Sequence, residues 1–175
     1  MKRFVSVIML RPKAVLPLLL LLLFPLNASA QAFDGEDDNK VSVGYINAGG
    51  CSGVTLGYDR GMNDYLSLGC YLSMVEKGGK HDDSGGLERC DLYFAGNYHF
   101  QELLKLPSPL DIYSGVSVGL RAVGVQGGVR YNFGEVVGIY AEARQNLLNT
   151  LKGSGDSANY YYKDFCFSVG FTFTF

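Results

Sequence analysis

Between Lys40 and Phe175 apolar residues recur at every second position in eight stretches, and the positions between them are polar, small or charged. An extended chain turns successive side chains to opposite faces, so this period predicts β-strands. The pattern places them at Lys40 to Asn47, Gly53 to Asp59, Tyr65 to Glu76, Leu87 to His99, Leu110 to Arg121, Val123 to Asn132, Val136 to Arg144 and Tyr162 to Phe175. Turn-forming residues separate them: NAGGCS, DRGMND, KGGKHDDSGG, the stretch holding Pro107 and Pro109, the Phe133-Gly134-Glu135 corner, and KGSGDSAN. No helical period competes, although Gln101 to Leu106 has room for one short turn.

Sorted by face, the strands divide cleanly. One face carries Val41, Val43 and Tyr45, then Val54, Leu56 and Tyr58, and continues in the same way to Phe165, Phe167, Val169, Phe171, Phe173 and Phe175, without a charge. The other carries Asp59, Arg89, Asp91, Asp111, Arg121, Arg130, Glu142, Arg144 and Asp164, with Tyr65, Tyr71, Tyr93, Tyr113 and Tyr140 among many glycines and serines. A soluble sandwich would turn that charged face to water, where it needs no tyrosines. The inside of a small barrel needs polar groups of mixed size that pair with one another, and this face supplies them as a filled, charge-paired interior.

The rings of the apolar face add a positional signal. Tyr58, Tyr98, Tyr131, Phe173 and Phe175, with Phe100 and Phe133 in the adjoining turns, fall at the strand ends on the side where both termini lie. Such a girdle marks a membrane interface, and the longer strands have the roughly ten residues that a tilted crossing takes. The pattern therefore predicts an all-β fold, an eight-stranded antiparallel up-and-down transmembrane β-barrel over residues 40–175. Surface loops are expected near Asn47 to Ser52, Lys77 to Gly86, Ala122 and Asn146 to Tyr160.

The segment before the barrel sets the compartment. Lys2, Arg3, Arg11 and Lys13 accompany the apolar run Ala14 to Leu26, and the small residues Ala28 and Ala30 follow it. That is the layout of a secretory signal peptide cleaved after Ala30. The run is broken by Pro17 and is shorter than the roughly 20 residues of a membrane helix. Residues 1–30 are expected to leave, and 31–39 to remain as a short periplasmic tail. The formal net charge of the whole chain is −2; loss of four basic residues makes the remainder more acidic, which argues against nucleic acid as a partner. With 23 glycines, 12 tyrosines and only 5 prolines, the composition favours strands with close backbone contacts.

The signal peptide, the eight alternating segments and the ending FSVGFTFTF together resemble the small eight-stranded outer-membrane barrels of the OmpA and OmpX type, over Lys40 to Phe175. The resemblance implies a monomer in the outer membrane of a Gram-negative bacterium, with both termini periplasmic and lipid around the apolar face. It also implies that the barrel-assembly machinery reads the terminal stripe Val169, Phe171, Phe173 and Phe175.

Residues that carry chemistry are few. KHDDS, Lys80 to Ser84, gathers His81 with two aspartates and a serine, but a single loop does not make them converge. Asp82 and Asp83 lack the ligand count and spacing of a calcium loop. His99 has no matching serine on a membrane-facing strand, so no enzymatic activity, cofactor or metal is expected. Cys70 and Cys90 read outward and Cys166 inward, which opposes most disulfides; Cys51 with Cys166 is the best remaining pair, and buried free thiols are the simpler reading. The pairs Gly49-Gly50, Gly78-Gly79 and Gly127-Gly128 precede no helix and read as turn and bulge residues. The expected function is a structural or surface-interaction role, with a possible ligand at the loops. The alternatives are a narrow channel for small solutes or ions and a secreted soluble barrel holding an apolar ligand.

Overall fold

The computed structural model describes residues 31–76, 90–150 and 165–175. The alternating stretches form eight strands: β1 (Asn39–Ala48), β2 (Cys51–Asn63), β3 (Leu66–Glu76), β4 (Cys90–His99), β5 (Leu110–Gly119), β6 (Ala122–Asn132), β7 (Val137–Asn149) and β8 (Phe165–Thr174). Each pairs antiparallel with the next, and β8 returns to β1 to close the barrel, with Val43 opposite Phe171 and Gly44 opposite Gly170. Closure pairs the backbone on both sides of every strand and leaves no sheet edge. The architecture is thus all-β, a closed eight-stranded antiparallel barrel, as the alternation predicts.

Boundaries differ at the turns. β2 runs past Asp59 to Asn63 and β7 past Arg144 to Asn149; alternation of face persists through Gly61 and Asn146, where the outward positions Arg60 and Gln145 are polar and give no apolar signal. Ala122, expected in a loop, begins β6; the turn is Leu120 and Arg121. Gly49 and Gly50 alone bridge β1 and β2, at φ of 56° and 79°, a backbone shape that glycine takes without strain. Gln101 to Leu106 forms the expected short turn, tied by Leu104 N–H to the Phe100 carbonyl at 2.9 Å. The signal segment, the KHDDS loop, Arg89, Asp164 and the expected starts of β4 at Leu87 and β8 at Tyr162 lie outside the described residues.

All eight strands bury the polar face and expose the apolar one. Phe94, Val54 and Val116 are 62%, 60% and 59% exposed, while Asp91 and Asp111 are fully buried. The charged side chains that point outward, among the described strand residues, are Arg60 and Glu76, near opposite ends of the barrel. The outer wall between them carries no charge.

The glycines and tyrosines of the inward face fit together. The Tyr71 ring lies over Gly57 and Gly69, where an added Cβ would come within 2.4 and 2.5 Å of it; Tyr113 lies over Gly128 at 2.4 Å in the same sense. Each ring fills space that a neighbouring strand vacates by having no side chain, so large and small residues interlock across the interior.

Residues 31–38 are not a free tail. They fold back into the barrel mouth on the side of the termini, burying Ala32, Phe33 and Asp38. Ala32 N–H donates to the Ser108 carbonyl at 2.8 Å, Asn132 Nδ2 to the Gln31 carbonyl at 2.7 Å, and Gly61 N–H to the Asp38 carbonyl at 2.7 Å.

Candidate functional site

The interior is a stack of polar layers. Nearest the termini, the ammonium of Lys40 pairs with Asp38, and His99 stands between Ser67 and Asp111. Above them Arg130 on β6 donates through Nη2 to Asp59 on β2 at 2.8 Å, with its guanidinium 4.6 Å from the Tyr113 ring centre. The Tyr71 hydroxyl donates to the other oxygen of Asp59, and the Tyr113 hydroxyl to Glu142 at 2.9 Å. Higher again, Arg144 donates to Asp91 at 3.2 Å and stacks 3.8 Å from the Tyr93 ring centre. At the far end Ile46, Ala48, Cys51, Val75 and Cys166 pack against one another, and Asn146 Nδ2 donates to Cys166 Sγ at 3.6 Å.

Charges this deep persist because each acid faces a cation, a hydroxyl donor or, for Asp111, the Nδ1–H of His99; a lone buried charge would cost several kcal/mol. Arrangement across strands does the pairing: Asp59 and Arg130 are 71 residues apart in sequence and meet across the barrel. No group of three or more His, Cys, Asp and Glu is arranged to hold a metal, among the described residues.

Of the interior residues read from sequence, Asp59, Asp91, Asp111, Arg130, Glu142 and Arg144 are buried inside the barrel. Arg121 is not on a strand; it is half-buried in the β5–β6 turn, where its N–H donates to Asp91 at 3.2 Å and its Nε to the Cys90 carbonyl at 3.3 Å. Tyr65, read as inward, lies in the β2–β3 turn and faces out, because the Asn63 side chain accepts the N–H groups of both Tyr65 and Leu66 at 2.9 Å and delays β3 by one residue. The Glu102 carboxylate, hydrogen-bonded to it, holds the Tyr65 phenol above its ordinary range. All four cysteines are free thiols. Cys51 and Cys166 both point inward, but Ala48 on β1 pairs with each of them and separates them by two strand spacings, too far for a disulfide.

The rim residues Tyr58, Tyr98, Phe100, Tyr131 and Phe133 stand at the end that holds the termini. Tyr98 packs edge-on to Phe100 at 5.1 Å, Tyr131 on Phe133 at 5.4 Å, and Tyr58 lies 6.4 Å from Phe175. Tyr65 joins them, stacked on Tyr98 at 6.0 Å. Their partly exposed rings and outward hydroxyls, such as Tyr58 donating to Asn39 at 2.8 Å, make a belt apolar in body and polar at the tip.

Sequence reasoning missed Lys40, Asp38, Phe33, Ser67 and Asn97 as interior residues. Lys40, Ser67 and Asn97 carried a signal, since each shares the inward phase of its strand, whereas Phe33 and Asp38 lie before the first strand.

A family model described as a family of unknown function, DUF6646, matches residues 22–175. The chain belongs to this family. No curated protein matches it. The match takes in every strand of the barrel, so the DUF6646 chain has its whole closed sheet, filled interior and aromatic rim within the family region.

Proposed function

We propose that this DUF6646 protein is an integral outer-membrane β-barrel with a structural or surface-interaction role. One observation carries the reading: the wall is inside out for water. Aspartates, arginines, a lysine and a histidine are sealed within, while valine, leucine and phenylalanine cover the outside from strand to strand. Burying apolar surface is the main drive of folding in water, so a wall of this kind is stable where its surroundings are themselves apolar. The aromatic belt at the terminal rim supports the same reading, as does the placing of Arg60 and Glu76 near opposite ends of an uncharged band.

Resemblance to the small outer-membrane barrels extends the proposal to biogenesis. Phe165, Phe167, Val169, Phe171, Phe173 and Phe175 form an exposed stripe along β8, a surface that the assembly machinery would meet before closure. The filled interior speaks against bulk transport. Fractionation of the expressing cell tests the reading: the protein is expected in the outer-membrane fraction, resistant to alkaline carbonate and migrating differently on gels before and after boiling. Recovery as a detergent-free soluble monomer would overturn it.

A further inference from the structure

Three strands and the folded-back N-terminal segment bring together a group of side chains that filling the barrel does not explain. Ser67 on β3, His99 at the end of β4 and Asp111 at the start of β5 meet in one layer, each no more than 2% exposed. His99 Nδ1 lies 2.7 Å from Asp111 Oδ2, and His99 Nε2 lies 2.9 Å from Ser67 Oγ. A carboxylate only accepts, so Nδ1 carries the proton and donates to Asp111, leaving Nε2 to accept from the serine hydroxyl. That order of serine, imidazole and carboxylate is a proton relay that makes a serine nucleophilic.

A second observation concerns Asn97, which stands directly opposite Ser67 in the β3–β4 register and is fully buried. Its Oδ1 accepts from Gln126 at 2.8 Å, and its Nδ2 has no partner. A buried orphan donor is costly. Beside a relay serine it is the kind of group that stabilises the oxyanion of a tetrahedral intermediate.

A third observation is the cover. The Phe33 ring lies flat on the His99 ring, with centres 3.6 Å apart and planes within 1°. Beside Phe33 a cavity of about 270 Å³ opens between the segment and the turns, lined in part by Gln31, Asp34, Asp64 and Gln101.

We propose that Ser67, His99, Asp111 and Asn97 form a serine acyl-transfer site for a carboxylic ester with an apolar acyl chain. Phe33 occupies the place of that chain and shuts the site. With the segment displaced, Ser67 Oγ attacks the ester carbonyl carbon while His99 Nε2 takes the hydroxyl proton, and Asn97 Nδ2 donates to the oxyanion. The bond from the carbonyl carbon to the alcohol oxygen breaks, and His99 returns the proton to that oxygen. Water then attacks the carbonyl carbon of the acyl-serine, giving a proton to His99 Nε2; the bond from that carbon to Ser67 Oγ breaks, His99 returns the proton to Oγ, and the carboxylic acid leaves. None of this depends on the medium around the wall, so its failure and that of the membrane reading are separable.

The test uses the full chain purified in detergent and an alkyl fluorophosphonate, which forms a stable adduct with an activated serine. Peptide mass spectrometry locates the adduct, and gel migration before boiling shows that each variant is folded. A slow adduct at Ser67 is expected in the unaltered protein, and one forming roughly tenfold faster in Phe33→Ala, as displacement of the cover shifts the population. His99→Gln and Ser67→Ala are expected to give none. Phe33→Leu, which keeps an apolar cover, is expected to stay near the slow rate. No adduct at Ser67 in either the unaltered protein or Phe33→Ala would overturn the site, as would labelling that survives Ser67→Ala. Equal rates with and without Phe33 would overturn its role as cover.

Discussion

Arg130 and Asp59 meet across the barrel from strands that are not neighbours, at 2.8 Å and with both side chains sealed from solvent. The pair ties opposite walls of the cylinder, and its two members cannot be judged separately. Arg130→Ala leaves a buried carboxylate without its cation and is expected to cost about 3–5 kcal/mol. Urea unfolding of detergent-solubilised protein measures this. Replacing both partners together, as Asp59→Leu with Arg130→Met, is expected to recover most of the loss; a double variant as weak as the single one would show that the pair contributes net stability.

The outward face gives a test of its surroundings. Val116 sits mid-strand, 59% exposed, between Gly96 and Val125. In the proposed setting Val116→Arg is expected to cost about 2–4 kcal/mol on insertion into lipid vesicles, whereas Arg60→Leu, near the rim, is expected to change little. If both substitutions are silent in vesicle-folding titrations, the outer wall faces water.

Packing of rings on glycines predicts a paired effect at another site. Gly128→Val forces a side chain into the Tyr113 ring, and overpacking of this kind costs typically about 1–3 kcal/mol. Shortening the ring, as Tyr113→Ser in the same chain, is expected to restore part of the loss of thermal midpoint. A double variant no better than Gly128→Val would place the strain elsewhere.

For the stripe on β8, Phe175→Asp and Phe171→Asp are expected to lower the heat-modifiable form in the envelope, since both rings face outward. Thr172→Ser, buried on the opposite face, is expected to assemble normally. Immunoblots of unboiled membranes read the difference.

A filled interior makes a further claim. Purified protein in planar bilayers is expected to show no large, stable conductance, because Arg130, Tyr113 and Tyr71 are buried in one interior layer and Arg144 with Tyr93 in the next. Reproducible porin-sized steps would refute this.

The strands were legible because period two is a local signal. Ile112, Val116 and Val118 alternate with Tyr113 and Ser117, and the structure gives each of them the face that the alternation implies. The antiparallel order followed from short turns. What was not legible depends on register between strands. Ser67, Asn97, His99 and Asp111 converge only because β3, β4 and β5 align as they do, and no spacing along the chain announces it. Phe33 was opaque for a related reason: eight residues without period give no hint that one ring will find His99. Tyr65 misled because its alternation with Ser67 and Gly69 continues inward, while a single side chain, Asn63, ends the turn one residue later than that pattern implies.

The apolar plug at the far end, with Cys51 and Cys166 inside it, gives the molecule a built-in clock. Both sulfurs are buried at the last pairs of their ladders, so alkylation by a water-soluble maleimide at these two positions counts openings of this end of the barrel. With Cys70 and Cys90 replaced by serine, the rate of that alkylation becomes a lifetime for the closed end, readable by mass alone and free of any denaturant extrapolation.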